Sequence, residues 1–425
     1  MRNQVVIIGG GVVGSACALR LRETGRDVLL LDAGMPQLPA SYGNAGHIAI
    51  EQTRPLASPE AVKSAPQRLF AMGGALDFRL SDVVAWAPWA ARYLTSSTAK
   101  QADAGSLALS GLLGAALPAW RRLAADVGAP DLLVEDGHLV VWESQASAKA
   151  GLAHWSKADT GGARVCAMTS GEVDALSSQL GRPLAGAALI ENTGQISDPA
   201  VMMAALARRF SDLGGAKRTA RVVRLERTKQ GVDIVLADGE VLKPDRVVVA
   251  SGVGSGVLLR GLGYSAPVIA ERGYHVEGAL PEGETAWRNS PPVVFEDRSM
   301  IVTRFGDRLR AASFVEFGRE ASAPDPQKWV RLRKHIAELG LPMTGPLKEW
   351  MGARPTLPDY LPAIGGGEGG LVYAFGHQHL GLTLAALTGE LVADQICGRT
   401  TTVDLQPFDL GRFAKRKPAI TEKRS

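Results

Sequence analysis

The sequence predicts a two-part α/β fold. A parallel sheet is assembled from distant stretches of chain, and an α+β part with a mostly antiparallel sheet is inserted between them. Three observations carry this. The first 32 residues read as strand, glycine turn, helix and strand. A hairpin around an Asp-Gly turn, followed by a short apolar strand, stands at 232–250. Another apolar strand at 371–375 runs into a helix near the C-terminus. At 425 residues the chain exceeds what one core holds, so a second domain is expected.

The opening unit is the most informative. Gln4 to Ile8 is an apolar run, and Gly9-Gly10-Gly11-Val12-Val13-Gly14 follows directly. A helical stretch reaches about Thr24, and Val28 to Leu31 ends in Asp32, eighteen residues after Gly14. This is the Gly-x-Gly-x-x-Gly arrangement that holds a dinucleotide. Gly9 permits the tight turn, Gly11 lets backbone approach a pyrophosphate, and Gly14 lets the helix pack close to the strand. The helix N-terminus presents unpaired N–H groups to phosphate. Asp32 can accept from ribose hydroxyls.

The small-residue loop Ser41 to His47 comes next. From Ser58 to about Gly128 the spacing of Leu, Ala and Trp predicts helices. Within it, Leu80–Leu94 carries Trp86, Trp89 and Tyr93 and predicts a helix pair broken at Pro88 with its tryptophans in the core; a membrane or partner surface is the alternative. Strands are expected at 132–134 and 138–142, and Asp198-Pro199 opens a helix to about Leu213. Arg221 to Leu225 is a strand, and the hairpin 232–242 turns at Asp238-Gly239. The strand Arg246 to Ala250 ends in Ser251-Gly252, small residues that leave room for a pyrophosphate. Residues 268–317 are strand-rich. The expected division places 1–50, 195–265 and 345–425 in the nucleotide-binding part, and 51–194 and 266–344 in the second.

Composition excludes several classes. Hydrophobic content of 46% with 21% charged residues suits a globular protein, and a net charge of +4 gives no general basic surface. The basic run Arg412, Lys415, Arg416, Lys417, Lys423 and Arg424 lacks interleaved aromatics beyond Phe413, so it reads as a solvated tail and not a nucleic-acid arm. Cys17, Cys166 and Cys397 form no CxxC pair, and no histidines stand at metal spacing. No metal is expected. Cys17 falls on the first helix as a small packing residue. The N-terminus enters a strand at once, and no run of eighteen apolar residues is seen, so a cytoplasmic protein is expected, with peripheral contact at the inner membrane face as the variant.

Four motifs, spread from residue 4 to about 395, resemble one family. They are GGGVVG with Asp32, SYGNAGH at 41–47, ERGYH at 271–275, and GARPTLPDYLPAIG at 352–365 followed by FGHQHLGLT at 375–383. The chain resembles the FAD-dependent amine and amino-acid oxidoreductases of the D-amino-acid oxidase superfamily, most of all the bacterial D-amino-acid dehydrogenase branch. In detail it looks like D-proline or cis-4-hydroxy-D-proline dehydrogenases. It departs from the family in having Asp32 where Glu is usual, and Gln378-His379 where one residue is usually smaller.

The resemblance implies FAD as cofactor, a small D-amino or D-imino acid as substrate, and a quinone or other carrier as electron acceptor. The reaction it implies is hydride transfer from Cα to flavin N5, giving an imine. Gly9, Gly11, Val12, Val13, Gly14, Asp32, Ser41, Asn44, Ala45, Gly46, Val223, Ser251, Gly252 and Gly352 are expected to hold FAD. Gly381, Leu382 and Thr383 would lie nearest the flavin head, where a helix N-terminus stabilises charge on the reduced ring. Arg354 is the expected carboxylate anchor, because its planar fork matches a carboxylate in two bonds. Tyr274, His379 and His47 are candidates to touch substrate. His275 is expected on a strand facing the flavin. No general base is assigned, since the amine can arrive neutral or lose its proton to water. An oxidase making hydrogen peroxide on the same fold, and a non-catalytic flavin-fold subunit, are the competing readings.

Overall fold

The computed structural model describes residues 4–34, 39–288 and 290–414, so the basic tail beyond Arg412 lies outside the described residues. A six-stranded sheet runs in the order Ala216–Thr219, Asp27–Asp32, Gln4–Ile8, Arg246–Val249, Leu371–Phe375 and Ala363–Gly366. The first five strands are parallel, and only the last is antiparallel to its neighbour. Val5, Val6 and Ile7 are fully buried, because both faces of the sheet are covered.

The helices Val12–Glu23, Pro199–Asp212 and Gly381–Ile396 lie on one face, with Cys17 buried among them as expected. The antiparallel trio Val222–Arg227, Val232–Leu236 and Val241–Leu242 covers the other. Asp198 caps its helix by accepting from the backbone N–H groups of Ala200 and Val201, with Pro199 in the first turn.

The second sheet has nine strands and is mostly antiparallel. Its path runs Thr344–Thr356, Ile269–Ala279, Arg308–Gly318, Met300–Phe305, Val293–Phe295, His138–Trp142, Gly186–Glu191 and Arg164–Ala167, with Leu76–Phe78 beside the far end of Arg308–Gly318. The expected boundary at 345 is therefore corrected. Residues 344–356 pair along Ile269–Ala279 in this sheet, and the chain rejoins the parallel sheet at Ala363.

Two further expectations change. Leu76–Phe78 is a strand inside the stretch read as helical, because its pairing with Val315–Phe317 outweighs local periodicity. The helix Val83–Ser96 also continues through Pro88, and the break comes at Ser97-Thr98, where Thr98 caps Ala99–Asp126. Proline frees the carbonyl four residues back. Val84 and Pro88 both lie on the solvent side of this helix, where water can serve that carbonyl. The inner side buries Trp89 against Phe317, and the Trp86, Trp89 and Tyr93 polar atoms donate to the carbonyls of Arg79, Thr356 and Leu56.

By length and composition alone, Ala99–Asp126 could cross a membrane. Here its Leu109, Leu112, Leu113, Ala116 and Trp120 are buried, and the indole of Trp120 donates to the carbonyls of Leu382 and Thr383 on the C-terminal helix.

The first and last long helices cross almost backbone to backbone at Gly389. A Cβ there would lie 2.8 Å from the Ala16 carbonyl carbon and oxygen. Gly389→Ala should therefore lower unfolding free energy by about 1–3 kcal/mol from overpacking. Helix propensity alone would raise it by about 1 kcal/mol. The urea midpoint decides between them, and a raised midpoint would mean that the helices part freely.

Candidate active site

One cavity of about 2530 Å³ opens between the two sheets. Small-ligand pockets usually enclose about 300–1,000 Å³, so this one has room for a dinucleotide and a substrate together.

The glycine turn fits a dinucleotide by its close contacts. Gly9 has φ +116°, and a Cβ there would fall 2.4 Å from the Ala250 carbonyl oxygen. A Cβ on Gly14 would sit 1.9 Å from the Gly9 oxygen, so the helix packs on the turn as expected. At Gly11 a Cβ would meet only the Ser41 hydroxyl, at 3.2 Å, leaving its backbone open to the cavity. Gly10, which the sequence reading passed over, lies against Asp32: a Cβ would be 2.1 Å from that carboxylate.

Asp32 accepts from the Gly34 N–H and lines the cavity, and the Ser41 hydroxyl accepts from the Val12 N–H. Val13, Asn44, Ala45, Ser251 and Gly252 also line it. Val223 does so at a β-bulge, where the pairing with Val232–Leu236 skips one residue and leaves Val223 without a cross-strand partner.

Two expected cofactor residues stand behind the wall. Gly46, at φ +79°, turns the loop against Ile196 and Phe305, where a Cβ would be 2.8 Å from each. Thr383 is fully buried, and its hydroxyl accepts from the Ala49 N–H, so its side chain is a brace; Gly381 and Leu382 remain at the cavity.

The SYGNAGH loop is clamped to the larger sheet. Arg310 donates to the carbonyls of Tyr42 and Asn44 and pairs with Glu277 at 2.7 Å. His275 stacks on Trp350 with ring centroids 4.8 Å apart, and its Nδ1 lies 3.1 Å from the Gly43 carbonyl oxygen. Only a protonated Nδ1 can bond a carbonyl, which sets the tautomer. His275 is thus a loop anchor. Gly43 and Gly352 receive the Trp350 indole, which a Cβ at either would strike at 2.3 and 2.1 Å.

Arg354 faces the cavity with 27% of its side chain exposed. Its Nη1 donates to Glu271 at 3.0 Å and to the Phe314 carbonyl at 3.1 Å. Glu271 is buried and also accepts from the Thr356 hydroxyl and the Tyr360 phenol. Gly273 leaves space for the guanidinium, since a Cβ there would be 2.3 Å from Nη2. Sequence reasoning found Arg354 but not its carboxylate partner; the acid two residues before Gly273 in the ERGYH motif was the available signal.

The structure gathers Arg354, His379 and His47 at this cavity and adds Glu51 and His138. Burial pushes His379 down to about 4, with Arg354 and His47 acting the same way and Glu271 and Glu51 opposing. His47 Nε2 lies 3.1 Å from Glu51 Oε1. Burial works to raise Glu51, but the His47 and His138 imidazoles prevail and hold it down to about 2.

Tyr274 reaches the cavity through its ring alone. Its hydroxyl donates to Glu316 and accepts from Arg272 and the Asp325 N–H, inside a buried ionic network, so only its ring is left for the cavity wall. His377 is tied to the Thr388 hydroxyl at 3.0 Å.

Comparison with known proteins gives the family. The family model described as FAD dependent oxidoreductase (DAO) matches residues 4–395. A D-amino-acid oxidase of Bradyrhizobium diazoefficiens is 32% identical over 97% of this chain and 99% of its own length. A D-amino acid dehydrogenase of Paramagnetospirillum magneticum is 28% identical over 96% and 99%. Among solved structures, glycine oxidase from Geobacillus kaustophilus aligns with a TM-score of 0.72 at 24% identity, covering 97% of this chain and all of that one.

Burial pushes His138, His275 and His377 each down to about 3. In the unfolded chain these imidazoles gain a proton as pH falls below about 6.5, while the buried rings stay neutral. Stability is therefore full above that pH and is lost as pH falls toward 3. At pH 5 each contributes a loss of about 2 kcal/mol. His377→Gln keeps a partner for Thr388 and cannot titrate, so its urea midpoint should fall less between pH 7.5 and pH 5 than that of the wild type. Equal falls would refute the assignment.

Proposed function

The chain belongs to the FAD-dependent oxidoreductase family, and from that premise we propose that it oxidises the Cα–N bond of a D-amino acid to an imine. We propose ring amines, D-proline and cis-4-hydroxy-D-proline, as its preferred substrates, and a quinone or other carrier as electron acceptor. The observation that carries the reading is Arg354, a guanidinium held along one edge by a buried carboxylate and open to the cavity along the other.

Bound FAD supplies the hydride acceptor. The turn Gly9–Gly14, Asp32 and the bulge at Val223 are suited to hold its dinucleotide, and Gly381 and Leu382 the flavin end. Arg354 binds the substrate carboxylate in a charge-assisted pair, which fixes the Cα position. Glu271 keeps the guanidinium pointed at the cavity. The ring of Tyr274, with Met300, Ala312 and Phe314, offers an apolar wall against a pyrrolidine. Gln378, which lines the cavity, is suited to hydrogen-bond the hydroxyl of a hydroxyproline ring. Its amide N–H donates to the Tyr360 carbonyl, while its Oε1 is buried and has no donor among the described residues. A site that offers a buried acceptor disfavours analogues lacking the matching donor.

The second reading is an oxidase that passes electrons to dioxygen, and the name of the Bradyrhizobium relative favours it. Anaerobic bleaching of the flavin by D-proline, followed by reoxidation with air or with a soluble quinone, separates the two. Rapid reoxidation by air with peroxide formed stoichiometrically would favour the oxidase.

Arg354→Ala should retain FAD but lose about 2–5 kcal/mol of substrate interaction, roughly 30- to several-thousand-fold in affinity. Glu271→Gln should weaken binding less, about tenfold, because the guanidinium stays but loses its charged partner. Wild-type kinetics in Arg354→Ala would mean that another residue holds the carboxylate. For the substrate, kcat/KM should be higher for cis-4-hydroxy-D-proline and D-proline than for D-alanine. D-alanine equal to both would leave a general D-amino-acid enzyme.

A further inference from the structure

We propose that His47, Glu51 and His138 form a divalent-cation site of the zinc class on the wall of the flavin cavity. His47 comes from the short strand His47–Ile48, Glu51 from the turn after it, and His138 from the start of His138–Trp142 in the larger sheet. One potential ligand atom from each lies within 4.8 Å of the other two. The two imidazoles stand edge to face, with centroids 4.3 Å apart.

Hydrogen bonding fixes what these atoms present. The Thr193 hydroxyl donates to the Ile190 carbonyl at 3.2 Å and lies 3.0 Å from His138 Nδ1. Its single proton is used on the carbonyl, which cannot donate. With that proton on the carbonyl, His138 Nδ1 carries the hydrogen and Nε2 keeps a lone pair. This is the arrangement in which an outer partner orients a metal-binding imidazole.

His47 Nε2 donates to Glu51 Oε1. A cation bound there takes the place of the proton between His47 Nε2 and Glu51, and Glu51 Oε2 is buried with no partner among the described residues. The Glu51 carboxylate therefore has capacity for a cation beyond its contact with His47. A buried carboxylate is tolerated when it is paired, and a cation would supply that charge.

Two imidazoles and one carboxylate suit zinc, whereas calcium and magnesium favour oxygen alone. Bonds of about 2.0–2.2 Å to a tetrahedral zinc place ligand atoms roughly 3.4 Å apart, a contraction within reach of side-chain rotation. All three residues line the cavity, so the fourth position would face it. A second convergence, Asp77, Glu316 and Asp325, differs in kind because the Lys328 ammonium already sits among its carboxylates.

The test uses the FAD-loaded protein after dialysis against a chelator, titrated with zinc chloride by calorimetry. The expected result is one Zn²⁺ per chain with Kd near or below about 1 µM. His138→Ala and Glu51→Gln should each weaken binding by about a hundredfold, and Thr193→Val, which removes only the outer partner, by about tenfold. X-ray absorption at the zinc edge should show imidazole ligands. Wild-type binding no tighter than about 1 mM, affinity unchanged in both Glu51→Gln and Thr193→Val, or an edge without imidazole scattering would each overturn the proposal. None of these readouts depends on turnover.

Discussion

The Glu271 carboxylate is the junction on which the site depends. It is buried, and three donors converge on it: the Arg354 guanidinium, the Thr356 hydroxyl and the Tyr360 phenol. A buried charge is tolerated only when paired and hydrogen-bonded. Here the pairing also does structural work, because the donors stand at the end of the larger sheet and on the chain that leaves it for the parallel sheet. Tyr360 in turn accepts, through its carbonyl, from the Gln378 side chain beside His379. One carboxylate therefore orients Arg354, the proposed anchor, and connects it to the turn that carries Gln378 and His379.

Strain gathers around the same junction. Phe314, Tyr360 and Gln378 all have positive φ, at +72°, +56° and +48°. Left-handed backbone costs roughly 1–3 kcal/mol for a residue with a side chain. Each position is held by a contact that depends on the turn: the Phe314 carbonyl accepts from Arg354, Tyr360 bonds to Glu271, and Gln378 bonds to Tyr360. The surrounding packing thus fixes Arg354 in place ahead of any ligand, as the proposed role of carboxylate anchor requires.

On the opposite wall the constraint is closeness. Gly9, Gly10 and Gly14 are needed because backbone or carboxylate atoms occupy the space of a side chain, whereas Gly11 is open toward the cavity. The Arg310–Glu277 pair performs the corresponding task for the loop 41–47, carrying charge from the larger sheet to the Tyr42 and Asn44 carbonyls. The cavity is the space left between these two rigid walls.

The opening strand, turn, helix and acid were legible in the residues alone, because each glycine there answers a local steric demand and the periods of strand and helix are short. The same holds for the Asp198-Pro199 cap and the Asp-Gly hairpin, both of which are local hydrogen-bonding devices. Arg354 was legible through its motif. What only the tertiary structure decided were the partners at long range. Glu271 meets Arg354 across neighbouring strands 83 residues apart in sequence, and His138 meets His47 across two elements with no common spacing. Tyr274 shares the ERGYH motif and keeps its ring at the cavity. Strand pairing turns its hydroxyl into the network of Arg272 and Glu316, and Thr383 is turned the same way toward Ala49. Sequence period says which residues share a face. Which face meets the cavity, and which polar atoms are already taken there, is set by sheet register and by the packing of distant segments.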